Sequence, residues 1–206
     1  MLKVWGRLNS VNVKKALWAA EELGLKYERI DAGLHFGVNK TPEYLKMNPT
    51  GLVPTIEDDG FQLWESHTIV RYLAAKHKSG LEPADLRARA QAQKWMDWQL
   101  TVMAPAIGPL FMGMVRTPPA ERNMKAIDDS KAKTADTARM LDDQLAKTQF
   151  LAGDAFSYGD IPIGIMIWRY RELAPERPAF KNVDRWYEAI AARPGFQQHV
   201  KAIPLT

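Results

Sequence analysis

The stretch Asn48-Pro49-Thr50-Gly51-Leu52-Val53-Pro54-Thr55 decides how the first part of the chain folds. Its first half sets Pro and Gly among small polar residues, which is typical of a turn. Its second half joins Val53 to Pro54 directly before a strand-like run, and tight turns are the usual place for cis X-Pro bonds. We therefore expect a cis Val53–Pro54 bond at the start of a strand.

Two predicted strands and a helix follow this turn. The strands run from Val53 to Glu57 and from Phe61 to Trp64, and Asp58-Asp59-Gly60 between them is a hairpin signal. Ser66 then opens a helix in which apolar residues recur at helical spacing, namely Ile69, Val70 and Leu73. This part of the chain therefore reads ββα.

Upstream of the turn, the pattern predicts a strand, a helix and a second strand. Leu2 to Trp5 alternates like a short strand, and a helix begins at Asn12 and ends at Gly24. Lys26 to Asp31 is the next strand, and a short helix lies near Pro42 to Lys46. The predicted order over residues 1–78 is βαβ-(α)-ββα.

Beyond Lys78 the strand signal disappears and the pattern becomes helical. Residues 79–85 read as a linker, and a long helix follows that Pro105 and Pro109 should kink or break. Thr117 is the predicted N-cap of the next helix, with Pro118 at its first position. That amphipathic helix carries Met124, Ile127, Ala138, Leu141 and Leu145, and two more helices are predicted, from Asp160 to Leu173 and from Val183 to Ala192. Residues 86–206 are therefore expected to form an all-α domain.

Composition excludes several classes of protein. Of 206 residues, 46% are hydrophobic, and the seven Trp, seven Phe and six Tyr exclude a disordered chain. The absence of Cys excludes disulfides, thiolate metal sites and a cysteine nucleophile. The histidines are scattered without a supporting carboxylate pattern, so no metal is expected; they are His35, His67, His77 and His199.

The formal net charge of +4 comes from basic residues interspersed with acids, so a mixed-sign surface is expected rather than a nucleic-acid site. A mildly positive field nevertheless favours anionic small molecules. The longest apolar stretch, Ile161 to Trp168, is too short to span a membrane, and Met1 to Trp5 does not read as an export signal. We therefore expect no membrane partner and a cytoplasmic location.

Four segments carry a resemblance to a known family: Gly6 to Val13, Asn48 to Thr55, Leu63 to Leu73, and Phe150 to Asp154 with Ser157 to Asp160. Taken together, they make the whole chain resemble the cytosolic glutathione S-transferases, of a bacterial theta- or nu-like Ser/Asn type. The resemblance implies a thioredoxin-like α/β N-terminal domain that binds glutathione, followed by an all-α C-terminal domain. It implies glutathione as co-substrate, no metal, and a homodimer.

The resemblance also implies which residues bind glutathione. The Val53 backbone, turned outward by the cis bond to Pro54, would pair with the cysteinyl backbone. Ser66 at a helix N-terminus would bind the γ-glutamyl carboxylate and Glu65 the α-amino group, although Ser66 can equally be a plain N-cap. A basic residue in the loop after the second strand, His35 or Lys40, would take the glycyl carboxylate.

The resemblance implies that Ser10 or Asn12 activates the thiol. Related enzymes use Tyr, Ser or Cys after the first strand, and no Tyr or Cys lies between Met1 and Lys26. A free thiol has a pKa of about 8.5, and a hydroxyl or amide donor at a helix N-terminus favours the thiolate. Ser10 is preferred, but it can also be only an N-cap; Asn12 can be either the cap or the donor.

The second substrate would be a hydrophobic electrophile bound between the loop after the first strand and the helical domain. Apolar residues at helical spacing are often simply core, but together these predict an adaptable pocket. The candidates are Leu8, Trp98, Met103, Phe111, Met112 and Val115. His67 is expected at the dimer interface or in solvent.

Ser157 and Asp160 form a capping box, so Asp160 is predicted to be structural rather than catalytic. Ser157 would cap the helix, Asp160 would accept from the Ser157 N–H, and Phe156 with Ile161 would form the hydrophobic staple. Replacing Asp160 by Ala is expected to cost on the order of 1 kcal/mol.

Two other activities fit the same residues. A glutathione-dependent peroxidase or disulfide reductase would use the same thiolate, and a non-catalytic binding protein would use the same fold. A serine acyl nucleophile is disfavoured because no Gly-x-Ser-x-Gly motif is present, and a maleylacetoacetate-type isomerase because the Ser-Ser-Cys signature is absent. The main prediction remains transfer of glutathione to an electrophilic carbon.

Overall fold

The computed structural model of the protein describes residues 1–78 and 80–206, which divide into two compact units. The first unit comprises Met1–Glu82 together with Pro194–Ile203, and the second comprises Pro83–Arg193 with Pro204–Thr206. Ser79, the first residue of the predicted linker, lies outside the described residues.

The first unit is built on a four-stranded mixed sheet in the order β2-β1-β3-β4. β1 pairs with β2 in parallel because α1 connects them, whereas the hairpin β3–β4 and the pair β1–β3 are antiparallel. The predicted order βαβ-(α)-ββα is confirmed. The elements are β1 Leu2–Trp5, α1 Val11–Glu22, β2 Tyr27–Ile30, α2 Pro42–Met47, β3 Thr55–Asp58, β4 Phe61–Trp64 and α3 Ser66–His77.

The core of the first unit lies between the sheet and the helices α1 and α3, which pack against each other. Apolar residues at alternate strand positions meet helical residues at i, i+3 and i+4 spacing. The approach is close at Gly6, where a Cβ would lie 2.3 Å from a Cγ of Val13. The buried cluster consists of Leu2, Val4, Val13, Ala16, Leu17, Ile56, Ile69 and Leu73.

The second unit begins with a continuous run of helix from Leu86 to Arg116. It consists of α4 Leu86–Trp98, a π-helical turn Gln99–Met103, α5 Ala104–Phe111 and a second π-helical turn Met112–Arg116. A break at Pro105 or Pro109, one of the two predicted outcomes, does not occur. Instead the helix widens locally on either side of α5, one way to accommodate residues that lack a backbone N–H.

Three more helices complete the second unit: α6 Met124–Leu145, α7 Asp160–Leu173 and α8 Lys181–Ala191. The predicted N-cap of α6 is wrong. Thr117 precedes a short 3₁₀ turn, Pro119–Glu121, and its hydroxyl donates to the Met112 carbonyl. The cap is Asn123, whose side chain accepts from the Ala126 N–H at 3.0 Å. Asn is as strong a cap as Thr and directly precedes the helix.

The helix Leu86–Arg116 is long and apolar enough to cross a membrane by length and composition alone. It is longer than the apolar stretch Ile161 to Trp168, on which the expectation of no membrane span was based. One such helix is weak evidence for a span, because core helices of globular proteins pass the same test. In the second unit this run packs against α6 and α7.

The segment 194–203, predicted to belong to the helical domain, packs on α1 of the first unit. It comprises α9 Pro194–Phe196 and a π-helical turn Gln197–Lys201. The Phe196 ring meets Trp18 edge to face at 5.1 Å. Lys14 of α1 is 1% exposed, and its Nζ donates to the Val200 and Ile203 carbonyls at 3.1 and 3.0 Å. Residues 194–203 thus complete the first unit.

Candidate functional site

A small cleft lies in the first unit where the turn before β3, the end of β4 and the start of α1 meet. The structure brings five of the predicted site residues to its walls: Asn12, Val53, Pro54, Glu65 and Ser66. The Val53–Pro54 peptide bond is cis, as predicted. Five of the eight residues predicted to bind glutathione therefore converge on one place, although they come from three separate stretches of chain.

Glu65 joins β4 to α3 in an unusual backbone conformation. Its φ of 71° and ψ of 110° lie in a region that residues with a side chain rarely adopt, at a cost of about 1–3 kcal/mol. Its side chain is exposed and does not cap the helix. Backbone strain of this kind clusters at ligand sites, and Glu65 lines the cleft.

Ser66 is the first residue of α3 and is 5% exposed. The N-cap position belongs to Glu65, so the alternative that Ser66 is a plain N-cap is wrong. The first N–H groups of a 12-residue helix lack partners within the helix and carry the positive end of its dipole. Ser66 therefore stands where a carboxylate is favourably bound.

Ser10 occupies the N-cap position of α1 but does not cap it with its side chain. The Ser10 carbonyl accepts from the Lys14 N–H at 2.9 Å, as in any helix start, while the hydroxyl takes up none of the first N–H groups. The side chain is 6% exposed and is not part of the cleft wall described above. Its hydroxyl is thus available to an external acceptor at a positive helix end.

Asn12 is the second residue of α1, exposed, and lines the cleft, so the alternative that it caps the helix is wrong. Its Oδ1 accepts from the Lys15 Nζ at 3.1 Å, and the same Nζ lies 3.0 Å from His67 Nε2. Lys15 is 1% and His67 3% exposed. The expectation that His67 faces solvent or a dimer interface is therefore wrong; it is buried against α1.

The structure separates the two candidates for the glycyl carboxylate. Both His35 and Lys40 are exposed on the loop after β2. The Lys40 Nζ lies beside Gly51, where a Cβ would be 2.9 Å from it, and Gly51 belongs to the turn that borders the cleft. The His35 ring instead stacks on Phe36 with centroids 4.0 Å apart. Lys40 is the better placed of the two.

Several residues at or near the cleft were not among the predicted site residues. Asn48 and Thr50 line the cleft, and Asn48 is nearly fully buried. The Asn48 Oδ1 accepts from the Thr50 N–H and hydroxyl, while its Nδ2 donates to the Leu52 carbonyl and to Thr55 Oγ1 at 3.0 Å. An Asn two residues before a Thr in a Pro-Gly turn is a signal for this Asx turn. Lys15 was missed because an internal lysine on a helix is usually solvated.

The candidates for the electrophile pocket belong to different environments within their units. Met103 is fully buried, so it is a core residue rather than part of an exposed apolar surface. Met112 is 54% exposed, and Phe111 lies under the guanidinium of Arg169 at 3.9 Å. The others are partly buried or exposed: Leu8, Trp98 and Val115.

The Ser157–Asp160 box of the second unit is closed on itself. Asp160 is fully buried, and its Oδ2 accepts from the Ser157 N–H at 2.9 Å and from the Ser157 hydroxyl at 3.3 Å. Its Oδ1 accepts from the Leu151 N–H and from Trp186 Nε1, at 3.0 and 2.8 Å. Burial raises the pKa of Asp160 to about 6, against the effect of these donors.

Among the residues that the structure describes, no group of three or more His, Asp or Glu side chains is arranged to hold a metal ion. The cleft itself offers hydrogen-bond donors, a helix N-terminus and one exposed carboxylate, that of Glu65.

Comparison with known proteins matches both units. The family model described as Glutathione S-transferase, N-terminal domain, matches residues 1–75, and that described as Glutathione S-transferase, C-terminal domain, matches residues 101–194.

Similar proteins match over their full length. Glutathione S-transferase GstB of Escherichia coli K12 is 43% identical, with all of both chains covered. Glutathione S-transferase 3 of Zea mays is 32% identical over 99% of this chain and 95% of its own. The crystal structure of a theta class glutathione S-transferase from Xanthomonas axonopodis pv. citri with glutathione bound is 42% identical, with a TM-score of 0.94, covering 100% of this chain and 99% of the other.

Proposed function

The chain belongs to the glutathione S-transferase family, and from that premise we propose how its cleft binds glutathione and activates the thiol. Glutathione is the co-substrate, and the activity is that of a glutathione transferase. The assignment of individual residues rests on the geometry of the cleft.

In our proposal the tripeptide lies along the cleft with its γ-glutamyl end at α3. Ser66 and the N-terminal N–H groups of α3 bind the γ-glutamyl carboxylate, and the Glu65 carboxylate binds the α-amino group. The Val53 backbone pairs with the cysteinyl backbone, and Lys40 binds the glycyl carboxylate. The convergence of Val53, Glu65 and Ser66 on one cleft supports this arrangement.

The thiol is activated by two donors at the N-terminus of α1, the Ser10 hydroxyl and the Asn12 amide. The observation that carries this assignment is that Ser10 stands at the N-cap without capping, so its hydroxyl remains available. Lowering a thiol pKa by about two units requires roughly 2.7 kcal/mol, which two charge-assisted hydrogen bonds and the helix dipole can supply. Ser10 is taken as the stronger donor because its hydroxyl stands at the N-cap of α1 without capping the helix.

The test is a titration of the thiolate absorbance of bound glutathione in the wild type and in Ser10→Ala and Asn12→Ala. We expect the thiol pKa to rise by about one to two units in Ser10→Ala and by less in Asn12→Ala, because each variant removes one donor. Turnover with an aryl halide at neutral pH should fall in parallel.

A matched control is Ser157→Ala, since Ser157 also precedes a helix but is engaged with Asp160. It should lower stability without moving the thiol pKa. If glutathione bound to Ser10→Ala and to Asn12→Ala has the same thiol pKa as glutathione bound to the wild type, the proposed activation is wrong.

The second substrate in this proposal is a hydrophobic electrophile, taken up by apolar side chains such as the exposed Met112. The protein is proposed to act as a homodimer. Exposed apolar residues in the second unit support this, with Leu100, Val102 and Met140 between 39% and 50% exposed. A cytoplasmic location is proposed because the thiol must be supplied by a reduced glutathione pool.

A further inference from the structure

Two adjacent lysines of α1, Lys14 and Lys15, are both 1% exposed, and they point to different partners. Lys14 donates to the backbone carbonyls of Val200 and Ile203, which ties the segment 194–203 to the helix. Lys15 instead reaches Asn12 and His67, directly behind the cleft. Burying an ammonium group is costly unless it is hydrogen-bonded. The hydrogen bonds of each lysine therefore hold its Nζ at a defined place in the fold.

We propose that Lys15 is a positioning residue for thiol activation: it binds the Asn12 Oδ1 so that the Asn12 amide N–H groups face the cleft. The inference rests on the proposed role of Asn12 and deepens it. The ammonium has donors only, so it pairs with the oxygen of the amide and never with its nitrogen.

The orientation matters because the two ends of an amide have opposite polarity and nearly the same shape. With Oδ1 bound to the Lys15 Nζ at 3.1 Å, Nδ2 is the end left for a ligand in the cleft. A thiolate is stabilised by an N–H donor and repelled by a carbonyl oxygen. The lysine thus selects the productive rotamer of Asn12.

His67 fixes Lys15 in turn. The Lys15 Nζ lies 3.0 Å from His67 Nε2, in a contact buried between α1 and α3. A protonated lysine donates to this nitrogen, which requires the imidazole to be neutral and to carry its proton on Nδ1. His67 and Lys15 therefore link the N-terminal turn of α3, where Ser66 stands, to that of α1.

The experiment measures the thiol pKa of bound glutathione in Lys15→Met, Lys15→Arg and Lys14→Met, with the affinity for glutathione measured alongside. We expect Lys15→Met to raise the thiol pKa by about one unit and to lower turnover at pH 6.5 by up to about tenfold, with affinity changed less than threefold. Lys15→Arg should restore much of the shift, since it keeps a cationic donor. Lys14→Met should lower thermal stability and leave the thiol pKa unchanged.

A double variant separates positioning from a general effect of charge. If Lys15 acts through Asn12, adding Lys15→Met to Asn12→Ala should shift the thiol pKa by much less than it does alone. An equal shift in both backgrounds overturns the inference, as does an unshifted pKa in Lys15→Met. Should Lys15→Met fail to fold, Lys15→Gln replaces it under the same criteria.

The outcome for Lys15 is distinguishable from the outcome for the proposed function. If Ser10→Ala and Asn12→Ala raise the thiol pKa and Lys15→Met does not, only the role of Lys15 is wrong. If none of the three raises it, the proposed activation itself is wrong.

Discussion

Ser10 and Ser157 both precede a helix, in the first and second units respectively, but their hydroxyls differ in hydrogen bonding. The Ser157 hydroxyl accepts from the Gly159 N–H at 3.2 Å and donates to Asp160, so it is fully engaged by its own unit. The Ser10 hydroxyl takes up no N–H group of α1. The same residue type, shortly before a helix in both cases, thus closes a structural network in one unit and stays available to a ligand in the other.

The polar groups around these serines differ in the same way. Asp160 is fully buried and accepts four hydrogen bonds from its own chain, which leaves it nothing to offer a ligand. Asn12 has its oxygen held by Lys15 while its side chain is exposed at the cleft. A closed network specifies one fold, whereas a network with an open donor prepares a binding site.

The largest expected effect is that of breaking the closed network. Asp160→Ala should lower the free energy of unfolding by roughly 3 kcal/mol, because three buried N–H groups lose their acceptor. This exceeds the loss of about 1 kcal/mol expected for a capping box alone. Urea denaturation measures the change, with the exposed Asp154→Ala as control. Full stability combined with lost turnover in Asp160→Ala would show that the residue is catalytic.

A second test uses the titration of the same carboxyl group. Burial raises the pKa of Asp160 to about 6 in the folded protein, above its ordinary value of 3.8, so the folded state binds the proton more tightly. The favourable contribution of Asp160 to the free energy of unfolding is fully present below pH 3.8 and is lost as the pH rises through about 6. The wild type should therefore lose up to about 3 kcal/mol relative to Asp160→Asn between pH 4 and pH 7. The measured quantity is the free energy of unfolding of the wild type minus that of Asp160→Asn. If this difference stays constant or increases between pH 4 and pH 7, the prediction is wrong.

The smallest expected effect concerns the open site. Ser66→Ala should raise the KM for glutathione roughly tenfold, because one hydrogen bond to a carboxylate is lost, and should change kcat little. Thr68→Ala, at an exposed position of the same helix, is the matched control and should leave KM unchanged. Steady-state kinetics with varied glutathione measures the KM of both variants. An unchanged KM in Ser66→Ala would remove Ser66 from the binding site.

The elements of the first unit were predictable because their signals are local. Alternation marks β1 and the hairpin, Gly24 marks the end of α1, and the Val53–Pro54 pair marks the cis bond. The start of α6 was misplaced because Thr117-Pro118 and Asn123 both look like caps, and only packing decides between them. Residues 194–203 were assigned to the other unit because a helical pattern does not say what it packs against.

The site was predictable only where the signal lies in a motif. Val53, Glu65 and Ser66 converge as the resemblance implied. Lys15 and His67 were not recognised, because their contact joins residues from two helices that are adjacent only after the chain has folded. Burial of a lysine depends on the tertiary structure and has no pattern in the sequence.

The anchoring of residues 194–203 on α1 affects the order in which contacts can form during synthesis. The carbonyls of Val200 and Ile203 that bind Lys14 are translated after residues 83–193 of the second unit. At typical elongation rates this leaves α1 without these two acceptors for roughly 5–25 s after the rest of the first unit is made. The first unit is therefore not complete until residues 83–193 of the second unit have been made.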